Sequence, residues 1–226
     1  RALSVPDVPN HPVMQSICDP ARGGFQSTSG HIGNEGVINI AYVLRGENMF
    51  VDIIQAPDLF DHLCHVVFET IDAVMRTIRT WQNSPAPDHI VVCDCVINML
   101  SPTAYRERLF RYEQMFADSF ELFGIHTCNW TVDPYLDIIA EISDRINYLD
   151  MGPDSDLDKV HRLFPDLKPS VFYHPENVRN FSIEQITGEI DELCRRIGRG
   201  YILLSDLEAG TPDSHIRAVY DVAARF

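Results

Sequence analysis

The sequence predicts an α/β fold built on a parallel sheet. Short apolar runs alternate with longer amphipathic stretches along the 226 residues, which is the pattern of strand and helix units around such a sheet. Six apolar runs are the predicted strands, at 13–18, 90–96, 123–127, 146–150, 170–173 and 201–204. Periodicity alone leaves two architectures open, a doubly wound sheet and most of a (β/α)8 barrel.

Helices are predicted between these strands because apolar residues recur there at spacings of three and four. The predicted helix starts carry a proline or a capping residue, at Pro57, Ser101-Pro102, Asp133-Pro134, Ser182 and Pro212. Gln185 lies three residues after Ser182, which is the spacing of a capping box. Segment 20–35 is rich in Gly, Ser and Thr, and it is predicted as an irregular loop that either contacts substrate or lies on the surface.

Composition and charge exclude several classes of protein. Hydrophobic residues make up 45% of the chain and charged residues 23%, so disordered, collagen-like and coiled-coil chains are excluded. Lys and Arg number 18 against 33 Asp and Glu, and the net charge of −15 disfavours nucleic acid and anionic membrane surfaces as partners. Six scattered cysteines are typical of reduced thiols, which predicts a cytoplasmic protein.

Familiar catalytic motifs do not account for the sequence. Gly23-Gly24 does not make a dinucleotide-binding fingerprint, and no GxxxxGK[ST] phosphate loop occurs. A G-x-S-x-G nucleophile elbow is also missing. No apolar run approaches the roughly 20 residues that span a bilayer. The chemistry must therefore be sought in single residues at the ends of the strands.

Polar or metal-capable residues follow almost every predicted strand. The carboxyl ends of strands are where catalytic groups gather in parallel α/β folds. The residues at or directly after the six predicted strand ends include Asp19, Asp94, Asn129, Asp150, His174, Asp206 and Glu208. This pattern predicts one functional edge of the sheet.

His126 and Cys128 are the clearest candidate metal ligands. Residues two apart on an extended segment point the same way, so an imidazole nitrogen and a thiolate can reach one ion. Zinc suits this mixed pair, and a catalytic zinc also needs a third protein ligand. A buried structural pair is the alternative. Cys93 and Cys95 also share one side of their strand, and metal binding, a strained redox pair and two buried hydrophobes all remain open.

Five segments follow one another in consistent order over about residues 30 to 226. They are Ile38-Asn-Ile-Ala-Tyr-Val-Leu-Arg-Gly46; Ala56-Pro57-Asp58; Asp94 with Leu100-Ser101-Pro102 and Tyr105; His126-Thr-Cys128-Asn129; and Gly200-Tyr-Ile-Leu-Leu-Ser-Asp-Leu-Glu208 with Thr211-Pro212. Together they resemble the uroporphyrinogen decarboxylase superfamily. Within that superfamily, the His-x-Cys element resembles the corrinoid methyltransferase branch. Members of that branch are zinc-dependent (β/α)8 barrels that move a methyl group between a corrinoid and a thiol or another donor or acceptor.

The resemblance implies an α/β fold of the (β/α)8 TIM barrel type that lacks its N-terminal strands in this chain. Residues 1–226 would form a single domain, the C-terminal three quarters of a uroporphyrinogen decarboxylase-like barrel. Zinc would be held by His126, Cys128 and Glu208, with Asp206 as the alternative third ligand. The chain departs from the branch at Asn129, where glycine is usual, and at Glu208, where the third ligand is normally cysteine.

The resemblance further implies a corrinoid (methylcobalamin) as co-substrate, a small-molecule methyl donor or acceptor, and a homodimer. No Asp-x-His-x-x-Gly cobalamin motif occurs in the chain, so the corrinoid is expected to arrive on a separate carrier protein. The expected catalytic residues are Asp94 and Asp150, and the expected substrate-binding residues are Asp19, Cys93 and Asn129. Two alternatives stay open: a metal-free decarboxylase of a tetrapyrrole or small carboxylate, and a catalytically silent member that binds a ligand.

Overall fold

The computed structural model describes residues 3–19, 31–82 and 88–226. The strands are β1 His31–Glu35, β2 His89–Cys93, β3 Leu122–His126, β4 Ile146–Met151, β5 Ser170–Phe172 and β6 Tyr201–Leu203. The α-helices are α1 Pro12–Ile17, α2 Val37–Arg45, α3 Asn48–Gln55, α4 Pro57–Gln82, α5 Pro102–Arg108, α6 Phe110–Ser119, α7 Leu136–Ile139, α8 Leu157–Leu163, α9 Pro175–Asn180, α10 Ile183–Ile197 and α11 Asp213–Ala223. A 3-10 helix, Cys95–Met99, follows β2. In the described ranges, no helix combines the length and the apolar character needed to cross a membrane.

The strands form a parallel sheet in which they follow one another in chain order. This order confirms the predicted α/β fold with a parallel sheet. Among the described strands, β1 and β6 are the two ends of the order. Closure into a (β/α)8 barrel therefore stays a prediction.

The described residues form two compact units, of which the first holds those up to Gly124 together with Ile142–Arg145. In it, β1 pairs with β2, and β3 begins beside β2 because the Leu122 N–H donates to the Asp88 carbonyl at 3.0 Å. The long α4 begins at Pro57, as predicted, and its periodic apolar side chains are buried. They include Phe60, Cys64, Val67, Phe68, Ile71 and Met75.

The second unit holds Ile125–Glu141 and Ile146–Phe226. In it, β4 pairs with β5 and β5 with β6. Helix α10 begins with the predicted capping box, in which Ser182 Oγ accepts from the Gln185 N–H and the Gln185 side chain accepts from the Ser182 N–H. Its apolar face, including Ile186 and Ile190, is fully buried. This helix and α11 pack against each other.

The predicted strand at 13–18 is wrong, because residues 13–17 belong to helix α1 and Cys18 is its C-cap. The side chain of His11 accepts from the Val13 N–H at 3.3 Å, and Pro12 occupies the first helical turn, where its fixed φ is favourable. Val13 and Ile17 are exposed. Asp19 therefore follows a helix, and its expected position at a strand end is also wrong.

Strand β1 lies in the segment predicted as an irregular loop. Residues 31–35 pair with β2 from His31 beside His89 to Glu35 beside Cys93, whereas residues 20–30 of that segment lie outside the described ranges. The sequence HIGNE has no apolar run to mark a strand. These residues form a strand because their backbone pairs with β2. The local amino-acid composition does not reveal such pairing.

Candidate metal centre

His126 and Cys128 lie at the carboxyl end of β3, with His126 Nε2 at 3.0 Å from Cys128 Sγ. The strand ends at His126, and the chain reaches Cys128 through a left-handed conformation with φ of 59°. This conformation is uncommon for a residue with a Cβ, and such strain clusters at functional sites. A backbone turn therefore brings the two ligand atoms together. The prediction had assumed that both side chains point the same way from a strand. Both side chains are half-buried.

Asp150 supports the imidazole from behind. It lies on β4, is fully buried, and places Oδ2 at 2.5 Å from His126 Nδ1. Its Oδ1 accepts from the Thr127 N–H at 2.6 Å, and its backbone carbonyl accepts from the Thr127 hydroxyl at 2.8 Å. A carboxylate at Nδ1 keeps the ring proton on that nitrogen, so the Nε2 lone pair is directed toward the thiol.

The donor set of this region suits zinc. His126 and Cys128 bring one imidazole nitrogen and one thiol within reach of the same metal ion. Zinc binds nitrogen and sulfur ligands, and three protein ligands leave its fourth position for substrate or water. The partnership between Asp150 and His126 is the one that orients metal-bound histidines in proteins. The residues present therefore fit a catalytic zinc ion.

Glu208 and Asp206, the expected third ligands, lie in the loop after β6. The Glu208 carboxylate is largely exposed and forms an ion pair with Arg179 at the end of α9. Asp206 has a left-handed backbone conformation, with φ of 56°, and accepts from the Ser205 hydroxyl at 3.1 Å. Both carboxylates lie in the same unit as His126 and Cys128, and their expected role as third ligand stays a prediction.

Asn129 directly follows Cys128 and contacts a residue that lines a small pocket. Its amide nitrogen is 3.4 Å from His174 Nδ1, directly after β5. His174 lines a pocket of about 230 Å³, where the Tyr173 hydroxyl donates to Glu189 at 2.7 Å. Burial and the Glu189 carboxylate raise the pKa of Tyr173, so its hydroxyl stays protonated. The pocket therefore offers a small molecule hydrogen-bonding groups beside the residue that follows Cys128.

Asp94, an expected catalytic residue, is buried in the first unit beside the Glu113 carboxyl group. The Tyr105 hydroxyl donates to Glu113, and Glu113 is hydrogen-bonded to Asp94. Burial, and then the charge of Asp94, raises the pKa of Glu113 well above its usual range. Sequence reasoning missed Glu113 because it lies on α6, away from every strand end. Its signal is an acid beside Tyr112 and Phe116 on the buried face of that helix.

We expect Glu113 to make folding stability fall as pH rises. The folded protein keeps a proton on Glu113, whereas the unfolded chain releases it near pH 4.3. The stabilisation is complete below that unfolded pKa and is lost as pH rises through the raised folded pKa. The urea midpoint of Glu113→Gln should therefore change less with pH than that of wild type. The same pH dependence of the urea midpoint in wild type and Glu113→Gln would contradict this. Glu107→Gln is the control, because Glu107 is exposed, and its urea midpoint should follow that of wild type.

Cys93 and Cys95 do not share the face of one strand. Strand β2 ends at Cys93, whose carbonyl accepts from the Gly36 N–H at 2.8 Å, and Cys95 begins the 3-10 helix. Both cysteines are half-buried. Asp19 is the last described residue before the gap at 20–30. The structure therefore leaves the expected roles of Cys93 and Asp19 in substrate binding as proposals.

The comparisons with known proteins find a shared fold and no family. No family model matches the chain, and no curated protein matches it. A solved methyltransferase from Methanosarcina mazei superposes on 95% of this chain with a TM-score of 0.73 and 18% sequence identity. The two chains share a fold. Our chain spans 64% of the length of that methyltransferase. Membership of the uroporphyrinogen decarboxylase superfamily therefore stays a prediction.

Proposed function

We propose that this protein is a zinc-dependent methyltransferase that moves a methyl group between a corrinoid and a thiol or methoxy-type small molecule. The observation that carries the proposal is the 3.0 Å approach of His126 Nε2 and Cys128 Sγ, with the buried Asp150 carboxylate behind the ring. The fold shared with a methyltransferase supports the same class of reaction. A separate corrinoid carrier protein is the proposed partner.

Glu208 is the proposed third zinc ligand, with Asp206 as the alternative. The Glu208 carboxylate is largely exposed and pairs with Arg179, so binding zinc would require it to leave this ion pair. A carboxylate makes a harder and less electron-donating site than a second thiolate would.

Zinc would supply Lewis acidity, lowering the pKa of a bound thiol or polarising the oxygen of a methoxy donor. In the thiol reaction, the substrate thiol gives its proton to solvent. Its sulfur then donates an electron pair to the methyl carbon as the carbon–cobalt bond breaks, with that bond's electrons left on cobalt.

The chain's own residues bind and orient the reactants. Asp150 holds the proton on His126 Nδ1 and so keeps Nε2 available as a ligand. Asn129 and the pocket beside His174 orient the small molecule. Bringing the sulfur and the methyl carbon into line lowers the barrier by positioning.

Metal analysis of the purified, reduced protein tests the proposal. We expect about one zinc per chain in wild type, as for a mononuclear catalytic site. His126→Ala and Cys128→Ser should lose it, because two remaining ligands hold zinc poorly. Glu208→Gln should also lose most of the zinc, whereas Asp206→Asn should keep it. Cys194→Ala is the matched control, since Cys194 is a buried cysteine of α10 and is not a proposed ligand.

The outcomes show separately which residues bind zinc and whether the protein transfers a methyl group. Zinc-free wild-type protein that stays zinc-free after incubation with zinc would overturn the proposal and favour the metal-free alternatives. Zinc retained by Glu208→Gln and lost by Asp206→Asn would assign the third position to Asp206. With zinc bound, demethylation of methylcobalamin by added thiols, followed by the change in corrinoid absorption, tests the transfer itself.

A further inference from the structure

Thr127, the residue between the proposed ligands His126 and Cys128, is bonded twice to Asp150. Its N–H donates to Asp150 Oδ1 at 2.6 Å, and its hydroxyl donates to the Asp150 backbone carbonyl at 2.8 Å. Thr127 and Asp150 are fully buried, and all four residues belong to the second unit. Side chains at a functional site keep one geometry when such bonds fix their partners. One threonine therefore fixes both the backbone of Asp150 and the orientation of its carboxylate.

The Thr127 hydroxyl is the part of this contact that the backbone does not provide. Valine has nearly the shape of threonine, so the hydroxyl is not needed to fill the space. Burying a hydroxyl is costly unless it is hydrogen-bonded, and the Asp150 carbonyl is its acceptor here. This bond joins the residue after the end of β3 to β4. Removing the hydroxyl alone therefore weakens the hold on the carboxylate partner of His126 while the packed volume stays the same.

The backbone on the far side of Cys128 is bonded to the segment that follows β4. There the Gly152 N–H donates to the Trp130 carbonyl at 2.7 Å. Cys128 lies between the attachment points at 127 and 130, and its φ of 59° is uncommon for a residue with a side chain. A conformation of this kind persists only where the surrounding structure fixes it. The attachment at Thr127 is therefore one of two that hold the ligand turn in place.

We propose that Thr127 is a positioning residue, whose bonds to Asp150 hold that carboxylate against His126 Nδ1 and fix the turn that leads to Cys128. The inference rests on the proposed function, in which His126 and Cys128 are zinc ligands. Outer groups that orient a ligand raise the affinity for metal, because the ligand is already ordered when the metal binds.

The ring proton of His126 tests the inference in metal-free protein. An Nδ1 proton that is hydrogen-bonded to a buried carboxylate gives a proton NMR signal far downfield, and its absence from His126→Ala assigns it. We expect this signal in wild type and in Thr127→Ser, which keeps the hydroxyl. Thr127→Val removes the hydroxyl, so the Asp150 carboxylate loses its fixed position. The signal of Thr127→Val should therefore be lost through exchange with water.

Cobalt(II) binding, followed by the thiolate charge-transfer absorption, tests the consequence for the metal ligands. We expect the dissociation constant of Thr127→Val to rise roughly 3- to 10-fold. This is less than the roughly 10- to 100-fold loss for a direct partner of a metal-bound histidine, because the hydroxyl acts through Asp150. Thr127→Ser should bind cobalt as wild type does.

Ser155→Ala is the matched control for a purely structural effect. Ser155 is a buried hydroxyl residue of the same unit, and its Oγ accepts from the Val132 N–H at 3.3 Å. Its loss leaves a buried N–H without this acceptor, so stability should fall. The His126 signal and the cobalt affinity should stay those of wild type, because Val132 lies beyond the ligand turn.

The outcomes distinguish the inference from the function on which it rests. Folded Thr127→Val with the His126 signal and cobalt affinity of wild type would overturn the positioning role alone. Equal losses in Thr127→Val and Ser155→Ala would also overturn it, since lost stability would then explain both. Failure of wild type to bind cobalt or zinc would overturn the function and the inference together. Urea unfolding shows whether each variant folds. If Thr127→Val does not fold, Thr127→Ser and Thr127→Ala give the same comparison, since they differ only by the hydroxyl.

Discussion

Replacing Asp150 with alanine is expected to lower the free energy of unfolding by about 1–3 kcal/mol, the cost of leaving the donors to a buried carboxylate without an acceptor. The carboxylate is fully buried, contacts His126 Nδ1 and accepts from the Thr127 N–H. Its removal leaves a buried backbone N–H without an acceptor and the imidazole without its proton acceptor. Urea unfolding of the two proteins measures the difference.

The Asp150→Asn variant separates stability from metal binding. Asparagine keeps the shape and can still accept from Thr127, but its amide nitrogen would face His126 Nδ1. The ring would then accept at Nδ1 and carry its proton on Nε2, the nitrogen proposed to bind zinc. We expect zinc affinity to fall by roughly 10- to 100-fold, as for other carboxylate partners of metal-bound histidines. Competition with a chromophoric chelator measures this loss.

Asp137→Asn is the matched control for both measurements. Asp137 lies in the same unit, is largely exposed and pairs with Lys159, so its loss should cost less than about 1 kcal/mol. Zinc affinity of Asp150→Asn equal to that of wild type and Asp137→Asn would show that the carboxylate does not set the ring tautomer. The chain would then hold zinc without help from Asp150.

The long helices could be predicted from the sequence, whereas the first strands could not. Helices α4 and α10 carry clear start signals and enough turns for their apolar spacing to be recognised. The run at 13–18 is too short to separate a strand from a helix by periodicity, and two of its apolar side chains, Val13 and Ile17, remain exposed. Strand β1 has no local signal, since its pairing partner lies more than 50 residues along the chain.

The sequence predicts those residues of the candidate site that lie at the ends of predicted strands. Residue spacing predicted that His126 and Cys128 lie together, and Asp150 is at the end of a predicted strand. The left-handed conformation at Cys128 could not be predicted, because the prediction assumed the side-chain alternation of a strand. Glu113, which is hydrogen-bonded to Asp94 in the first unit, could not be predicted either, because it lies within a helix. The backbone turn at Cys128 is thus the part of this site that requires coordinates.

Gly152→Ala is expected to disturb the ligand turn directly. An added Cβ at Gly152 would lie 2.1 Å from the Asn129 carbonyl oxygen and 2.6 Å from its carbonyl carbon. Backbone atoms cannot rotate away as a side chain can, so the segment after Cys128 must shift. The hydrogen bond from the Gly152 N–H to the Trp130 carbonyl, at 2.7 Å, would be strained by the same shift.

The shift should lower stability and zinc affinity together. Overpacking costs about 1–3 kcal/mol, and Cys128, the residue before the displaced segment, would lose its alignment with His126. Gly188→Ala is the matched control, because Gly188 is an exposed residue within α10 and an added Cβ there meets no atom within 4 Å. Alanine is favoured over glycine in helices by roughly 0.5–1 kcal/mol, so this variant should be more stable than wild type. The same chemical change thus has opposite expected signs at the two positions, and urea unfolding with zinc titration distinguishes them. Gly152→Ala protein with the stability and zinc affinity of wild type would show that the turn after Cys128 does not depend on close contact with Gly152.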